Sequence, residues 1–180
     1  TITVTAENGA TVKIFSNGDL LGTATNTSGT THTFTPSSGI ADGNYSITAT
    51  ATDAVGNVSA EATPQNIVID AVKAGVPVIS SAALTNDTTP TVTGTAEVGS
   101  AVTAVIAGAT YTVTATDGTW SVNTGSATPA SGSLSLNVNG NNSVSVTATD
   151  AAGNVSSAGT QTLVIDSTAP TVAITDNNSG

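Results

Sequence analysis

No cysteine and no arginine occur in this chain, and its two lysines stand against twelve acidic residues, for a formal net charge of −10. Without cysteine there is no disulfide staple, no thiol nucleophile and no thiolate metal site. Phosphate recognition needs clustered cations, so nucleic acid is excluded as a partner, and anionic membrane surfaces fall with it. No apolar run approaches the ~18–20 residues of a membrane span. No signal peptide is visible, but the reading is of a segment from inside a longer polypeptide, so that says nothing of export. Aromatics number only five: Phe15, Phe34, Tyr45, Tyr111 and Trp120. Hydrophobic residues make up 38%, much of it Ala and Val, so any core is small. What abounds is Thr, Ser, Val, Gly and Asn, which suits strands joined by tight turns and disfavours helices.

One ten-residue phrase occurs twice. Thr50–Ser59 reads TATDAVGNVS and Thr147–Ser156 reads TATDAAGNVS, an offset of 97 residues (147 minus 50). VID follows at Val68–Asp70 and Val164–Asp166, offset 96, and TAE precedes at Thr5–Glu7 and Thr95–Glu97, offset 90. Ordered echoes at nearly constant offset mean duplicated units, with the drift taken up by loops. The period is that of a small whole domain, not of a solenoid repeat. The expected units are Thr1–Asp70, Ala71–Asp166, and a third-unit stub over 167–180 whose opening strand is Thr171–Thr175.

The second unit offers seven short strand patterns: Pro77–Ala82, Thr91–Ala96, Ala101–Ile106, Thr110–Thr116, Trp120–Asn123, Ser143–Thr149 and Thr160–Ile165. Turn chemistry such as Ala107-Gly108, Asp117-Gly118 and Gly153-Asn154 separates them. That strand count predicts an all-β chain of tandem immunoglobulin-like, seven-stranded β-sandwiches joined by short linkers. The first unit aligns from the second strand of its sibling, so its strand A is missing or shortened. The stretch from Asp70 to Pro77 includes Gly75 and predicts the looser joint; that from Asp166 to Pro170 is shorter and stiffer.

In such a sandwich the BC, DE and FG loops gather at the pole where the chain enters. Glu97 falls in BC, Asp117 in DE, and Asp150 with Asn154 in FG, while Asp70 ends the preceding unit beside them. Carboxylates ~5 Å apart repel by roughly 3 kcal/mol at an effective dielectric of ~20. A hard divalent cation such as calcium, which accepts six to eight loop oxygens, would turn that repulsion into attraction. Glu7, Asp53 and Asn57 repeat the pattern in the first unit, and Asp166 repeats Asp70. Asp117 has no acidic counterpart there, where Asn26-Thr27-Ser28-Gly29 occupies the place. The competing reading is structural: Asp-x-x-Gly-Asn is itself a good turn, with Asp capping backbone N–H groups.

Nothing indicates catalysis. His32 is the sole histidine and reads as a surface or strand residue, no Ser has a base placed by a known motif, and the acids lie in repeated turns. Trp120 reads as core filling before sugar stacking. Lys13, opposite Thr103 in the sibling unit, gives no basis for an isopeptide crosslink.

The motifs TPTVTGTAEVGSAV at Thr89–Val102, TATDAAGNVS at Thr147–Ser156 and DSTAP at Asp166–Pro170 resemble the bacterial Ig-like repeats of giant surface adhesins and biofilm-associated proteins. TAENGATV at Thr5–Val12 carries the resemblance into the first copy. It implies type I export to the bacterial cell surface, neighbouring repeats of the same chain as partners, and calcium stiffening the joints through Asp70, Glu97 and Asp150. The longer joint after Asp70 departs from the D-x-T-A-P pattern, and Lys73 there offers an alternative countercharge. The expected function is a structural extender holding a distal adhesive domain off the surface. The alternative is a module that binds a glycan or host protein through its own sandwich surface.

Overall fold

The computed structural model describes residues 1–174, and among them every regular element is a strand. The chain divides into two units, Thr1–Val72 and Lys73–Gly180. Thr175 and the rest of the expected stub lie outside the described residues.

The second unit is a two-layer sandwich. One layer joins β12 (Thr119–Asn123), β9 (Thr91–Thr95) and β7 (Val78–Ile79). The other runs β13 (Ser131–Gly132), β11 (Ala109–Thr114), β10 (Ala101–Ile106), β14 (Asn139–Thr149), β15 (Gly159–Asp166), β8 (Leu84–Thr85). The inner faces follow from period-two alternation: Val102, Ala104 and Ile106 of β10 alternate inward, as do Val144, Val146 and Ala148 of β14. Trp120 and Tyr111 close the core between the layers, at 3% and 2% exposure. Trp120 is thus a core residue, as its strand position indicated.

All seven strand patterns form, with two departures. Pro77–Ala82 pairs only over Val78–Ile79, and the chain then crosses to the other layer, where β8 lies parallel to β15 (Leu84↔Val164). The strand after β10 returns beside it in the same layer (Ile106↔Ala109), because the two-residue turn Ala107-Gly108 is too short to change sheets. The loop holding Asp117 is therefore not a DE loop, since it leads from this hairpin strand to β12.

The first unit is built on one continuous sheet, ordered β1 (Ile2–Thr5), β4 (Thr31–Phe34), β3 (Asp19–Ser28), β2 (Thr11–Ser16), β5 (Gly43–Thr52), β6 (Gln65–Ile69). The ten-residue β3 serves two neighbours, pairing with β2 through Ala24 and with β4 from Thr25. Ile2, Val4 and Phe34 pack from one side onto Val12, Ile14, Ala24, Ile47 and Ala49. Among the described residues this unit has no counterpart of β7 or β8.

His32 is on a strand, as read, but it is fully buried and not at the surface. Its Nε2 lies 3.1 Å from the Ala10 carbonyl oxygen and its Nδ1 3.2 Å from that of Thr30.

Candidate functional site

Strand register fixes which loops share a pole. In the second unit Val78 and Thr119 both pair with Thr95, while Thr114 and Thr149 both pair with Ala101. The loops carrying Glu97, Asp117 and Asp150–Asn154 therefore gather where the chain enters β7. Asp166 pairs with Asn139 at the opposite pole, where the chain leaves. The same holds in the first unit: Thr5 pairs with Thr31 and Thr11 with Thr52, so Glu7 and Asp53 share a pole. There Glu7, Asp53 and Asn57 line one open depression of about 440 Å³.

Each repeated phrase folds into a self-contained turn. Asp150 Oδ1 accepts the N–H groups of Ala152 (2.9 Å) and Asn154 (2.8 Å), and Oδ2 accepts Asn154 Nδ2 (3.0 Å). Asp53 repeats this with Val55, Asn57 and Asn57 Nδ2 at 2.9, 2.8 and 2.7 Å. Gly56 and Gly153 sit at φ 95° and 94°, a region that L side chains rarely adopt. The closing serines act alike: Ser59 and Ser156 Oγ accept the N–H of Ala51 and Ala148 at 3.0 and 2.9 Å. The Asn57 amide and the N–H groups of Asn57, Val55 and Gly56 hold Asp53 below the usual carboxylate value, outweighing a smaller opposing effect of burial. At Asp150 burial is the largest single influence and pushes upward. The donors of Asn154, Ala152 and Gly153 together outweigh it, and the net shift is downward.

Three of the roughly four lone-pair directions of each aspartate are thus committed inside the turn, leaving Oδ2 one direction for another partner. Glu97 is exposed, and its Oε2 accepts the N–H of Gly75 at 3.3 Å, tying the linker to the pole. Asp117 is exposed at φ 52°, with Gly118 at 78°, so its backbone role is the first central position of a type I′ turn closed by the Thr119 N–H on the Thr116 carbonyl. Asp70 and Asp166 are exposed and make the same exit turn, accepting the N–H of Val72 and Thr168 at 3.0 Å.

The exit pole holds a residue that sequence reading missed. Asp42 Oδ1 accepts the N–H of Ala71, as Asn139 Oδ1 accepts that of Ser167. The offset of 97 (139 minus 42) and the shared Gly-Asn that follows were the available signal. The linker departs from D-x-T-A-P, yet the exit turn does not change. Every donor named here is a hard oxygen, the type calcium takes. No group of three or more His, Cys, Asp and Glu able to hold a metal ion occurs among the described residues. A cation here would draw on amide and backbone oxygens as well as carboxylates.

The strand topology and paired units define a tandem Ig-like β-sandwich protein. The profile of the bacterial Ig-like domain family matches residues 1–71 and 78–167, and the chain belongs to that family. No curated protein matches it. Among solved structures it is similar to the fibronectin(III)-like modules of Clostridium thermocellum CbhA, with a TM-score of 0.52 and 18% identity, over 92% of this chain and 85% of that one. At that identity the likeness is one of fold. Domains of these two kinds are typically non-catalytic structural modules and are usually extracellular or surface-exposed.

Proposed function

We propose that the chain is a segment of a bacterial cell-surface adhesin, in which tandem sandwiches act as an extender for a distal adhesive domain. The observation that carries this reading is the path through the second unit. The chain enters beside Thr95 and leaves at Asp166, at the opposite pole, so each added unit lengthens the array. None of the five aromatics is exposed, which leaves a glycan-binding module without a stacking platform.

Calcium is the proposed partner at the joints. Asp70 would hold the ion from the preceding unit, and Glu97 and Asp150 with Asn154 from the following one. Asp166 would serve the next joint, Glu7, Asp53 and Asn57 the previous one, and Asp117 would add charge at the shared pole. Bound there, the cation supplies countercharge and a fixed set of oxygen contacts. The recurrence of these acids at one shared pole within each unit supports the assignment. Calorimetric titration with calcium tests it: Asp150→Ala should weaken binding far more than Asp19→Ala, whose site is the β2–β3 hairpin at the other pole. Equal affinity and stoichiometry in both variants would reject the ligand set.

A further inference from the structure

Three Asn-Gly pairs occur among the folded elements: Asn8-Gly9, Asn17-Gly18 and Asn139-Gly140. Glycine has no side chain to shield its backbone nitrogen, so this is the pair in which that nitrogen most readily attacks the asparagine side-chain amide. The attack has two requirements. The asparagine amide must be free to swing over its own backbone, and the glycine N–H must be unpaired. One pair meets both, and the other two are blocked.

Asn17 sits in the tight turn between β2 and β3. Its N–H donates to the Ser46 carbonyl and its Oδ1 accepts the Ser46 N–H, both at 2.9 Å, so β5 holds it from two sides. Asn139 is tied down harder. Its Oδ1 accepts the N–H and Oγ–H of Ser167 at 3.0 and 2.9 Å, and the Thr168 hydroxyl at 3.0 Å. Gly140 faces Ile165 in the β14–β15 ladder, and the Asn137 amide lies against it where a side chain would stand. Asn8 and Gly9 are the two middle residues of a turn closed by the Ala10 N–H on the Glu7 carbonyl at 3.1 Å. With Gly9 at φ 81° this is the type II form, whose third-position N–H takes no part in the closure. Among the described residues that N–H makes no hydrogen bond, and the space beside Gly9 is open. Both residues are exposed, and Asn8 Oδ1 has one long contact, from Asn26 Nδ2 at 3.4 Å. The exposure belongs to the turn. Val98 holds the same position in the second unit, with residues 73–77 leading in, and is 72% exposed.

We propose that Asn8 is a site of spontaneous deamidation in the folded protein. The Gly9 nitrogen gives up its proton and bonds to Asn8 Cγ. The Cγ–Nδ2 bond breaks, and the amide nitrogen leaves as ammonia with that proton. Water then opens the cyclic imide. Opening at Cγ gives aspartate; opening at the main-chain carbonyl gives isoaspartate, which routes the main chain through Cβ and lengthens the turn. Either product puts a new carboxylate beside Glu7, at the pole that it shares with Asp53, with Asn26 Nδ2 placed to donate to it. Val98 stands in the place of Asn8 in the second unit, so this pole gains charge as the molecule ages and its sibling does not. The step needs only water and stands apart from the calcium proposal.

The test is mass mapping of the full folded chain after incubation in heavy-oxygen water at mildly alkaline pH, in chelator. Opening of the imide writes the heavy oxygen into the product. Cleavage after Lys13 and Lys73 then puts the three pairs on separate peptides, and fragment spectra place the label. Asn8 should convert at least ~10-fold faster than Asn17 or Asn139, which must first give up hydrogen bonds. In urea the three rates should converge. Anion exchange should resolve the converted chain as a more acidic species, whose main component Asn8→Gln removes. Comparable rates at the three sites in the folded chain, or faster conversion at Asn17 or Asn139, would overturn the proposal. So would an order of rates that persists in urea, or an Asn8 that converts only when the chain is unfolded.

Discussion

Trp120 lies across Gly94, its cross-strand partner, so closely that a Cβ on the glycine would fall 2.6 Å from Cε2 and Cζ2 of the indole. The same Cβ would also run into the carbonyl oxygen of Val78. Gly94 is therefore what lets β7 and the one tryptophan share a single core. Gly94→Ala should destabilise the second unit by roughly 1–3 kcal/mol, the usual cost of overpacking, with the first unit unaffected. Urea unfolding followed by Trp120 fluorescence measures this; an unchanged midpoint would mean that β7 is not held against Gly94.

Ala107 sits at φ 43° in the two-residue turn between β10 and β11, a left-handed conformation that costs an alanine roughly 1 kcal/mol. The first unit places Asn17 at φ 50° in the equivalent Asn17-Gly18 turn, where its Oδ1 accepts the Ser46 N–H at 2.9 Å. Ala107→Asn should raise the stability of the second unit by about 0.5–1 kcal/mol. Thermal unfolding at equal concentration reads the change, and a lower melting temperature would mean that the packing of Ala107 on the core outweighs the strain.

Asp53 and Asp150 both titrate below 3.8 in the folded chain because the turn donors favour the carboxylate. A folded value below the unfolded one gives stability that is fully present above pH 3.8 and is lost as pH falls through the folded value. Asn at either position would set an amide N–H₂ against the Asn57 or Asn154 amide, donor facing donor. Asp53→Asn and Asp150→Asn should therefore melt lower than wild type at neutral pH, and the gap should close as pH drops below 3.8. A gap that stays constant across that range would show that the carboxylate charge contributes nothing to the turn.

Much of this fold was readable because strand alternation and turn dipeptides are local. The register that brings Glu97, Asp117 and Asp150 to one pole followed from strand order alone. The split of the first strand after Ile79 was not readable, because Ser80-Ser81-Ala82-Ala83 has neither Pro nor Gly to mark a crossing between layers. His32 was misplaced for a different reason. It pairs with Val4 where Trp120 pairs with Gly94, so it takes the buried place that the tryptophan fills in the second unit, and composition cannot show such a replacement. The phrase TATDAxGNVS was the strongest signal in the sequence. Its Asp, Gly, Asn and Ser each have a bonding or backbone role inside the turn, so repetition by itself does not separate a ligand from a cap.

Small-angle scattering of the full chain in millimolar calcium and in chelator tests most directly the proposal that calcium turns joined sandwiches into a stiff spacer. On this account calcium should increase the maximum dimension, narrow the distribution of shapes, and raise the melting temperature, as a ligand of the native loops alone would. Superimposable profiles with an unchanged melting temperature would contradict the claim and leave the acids as turn caps on a flexible tether.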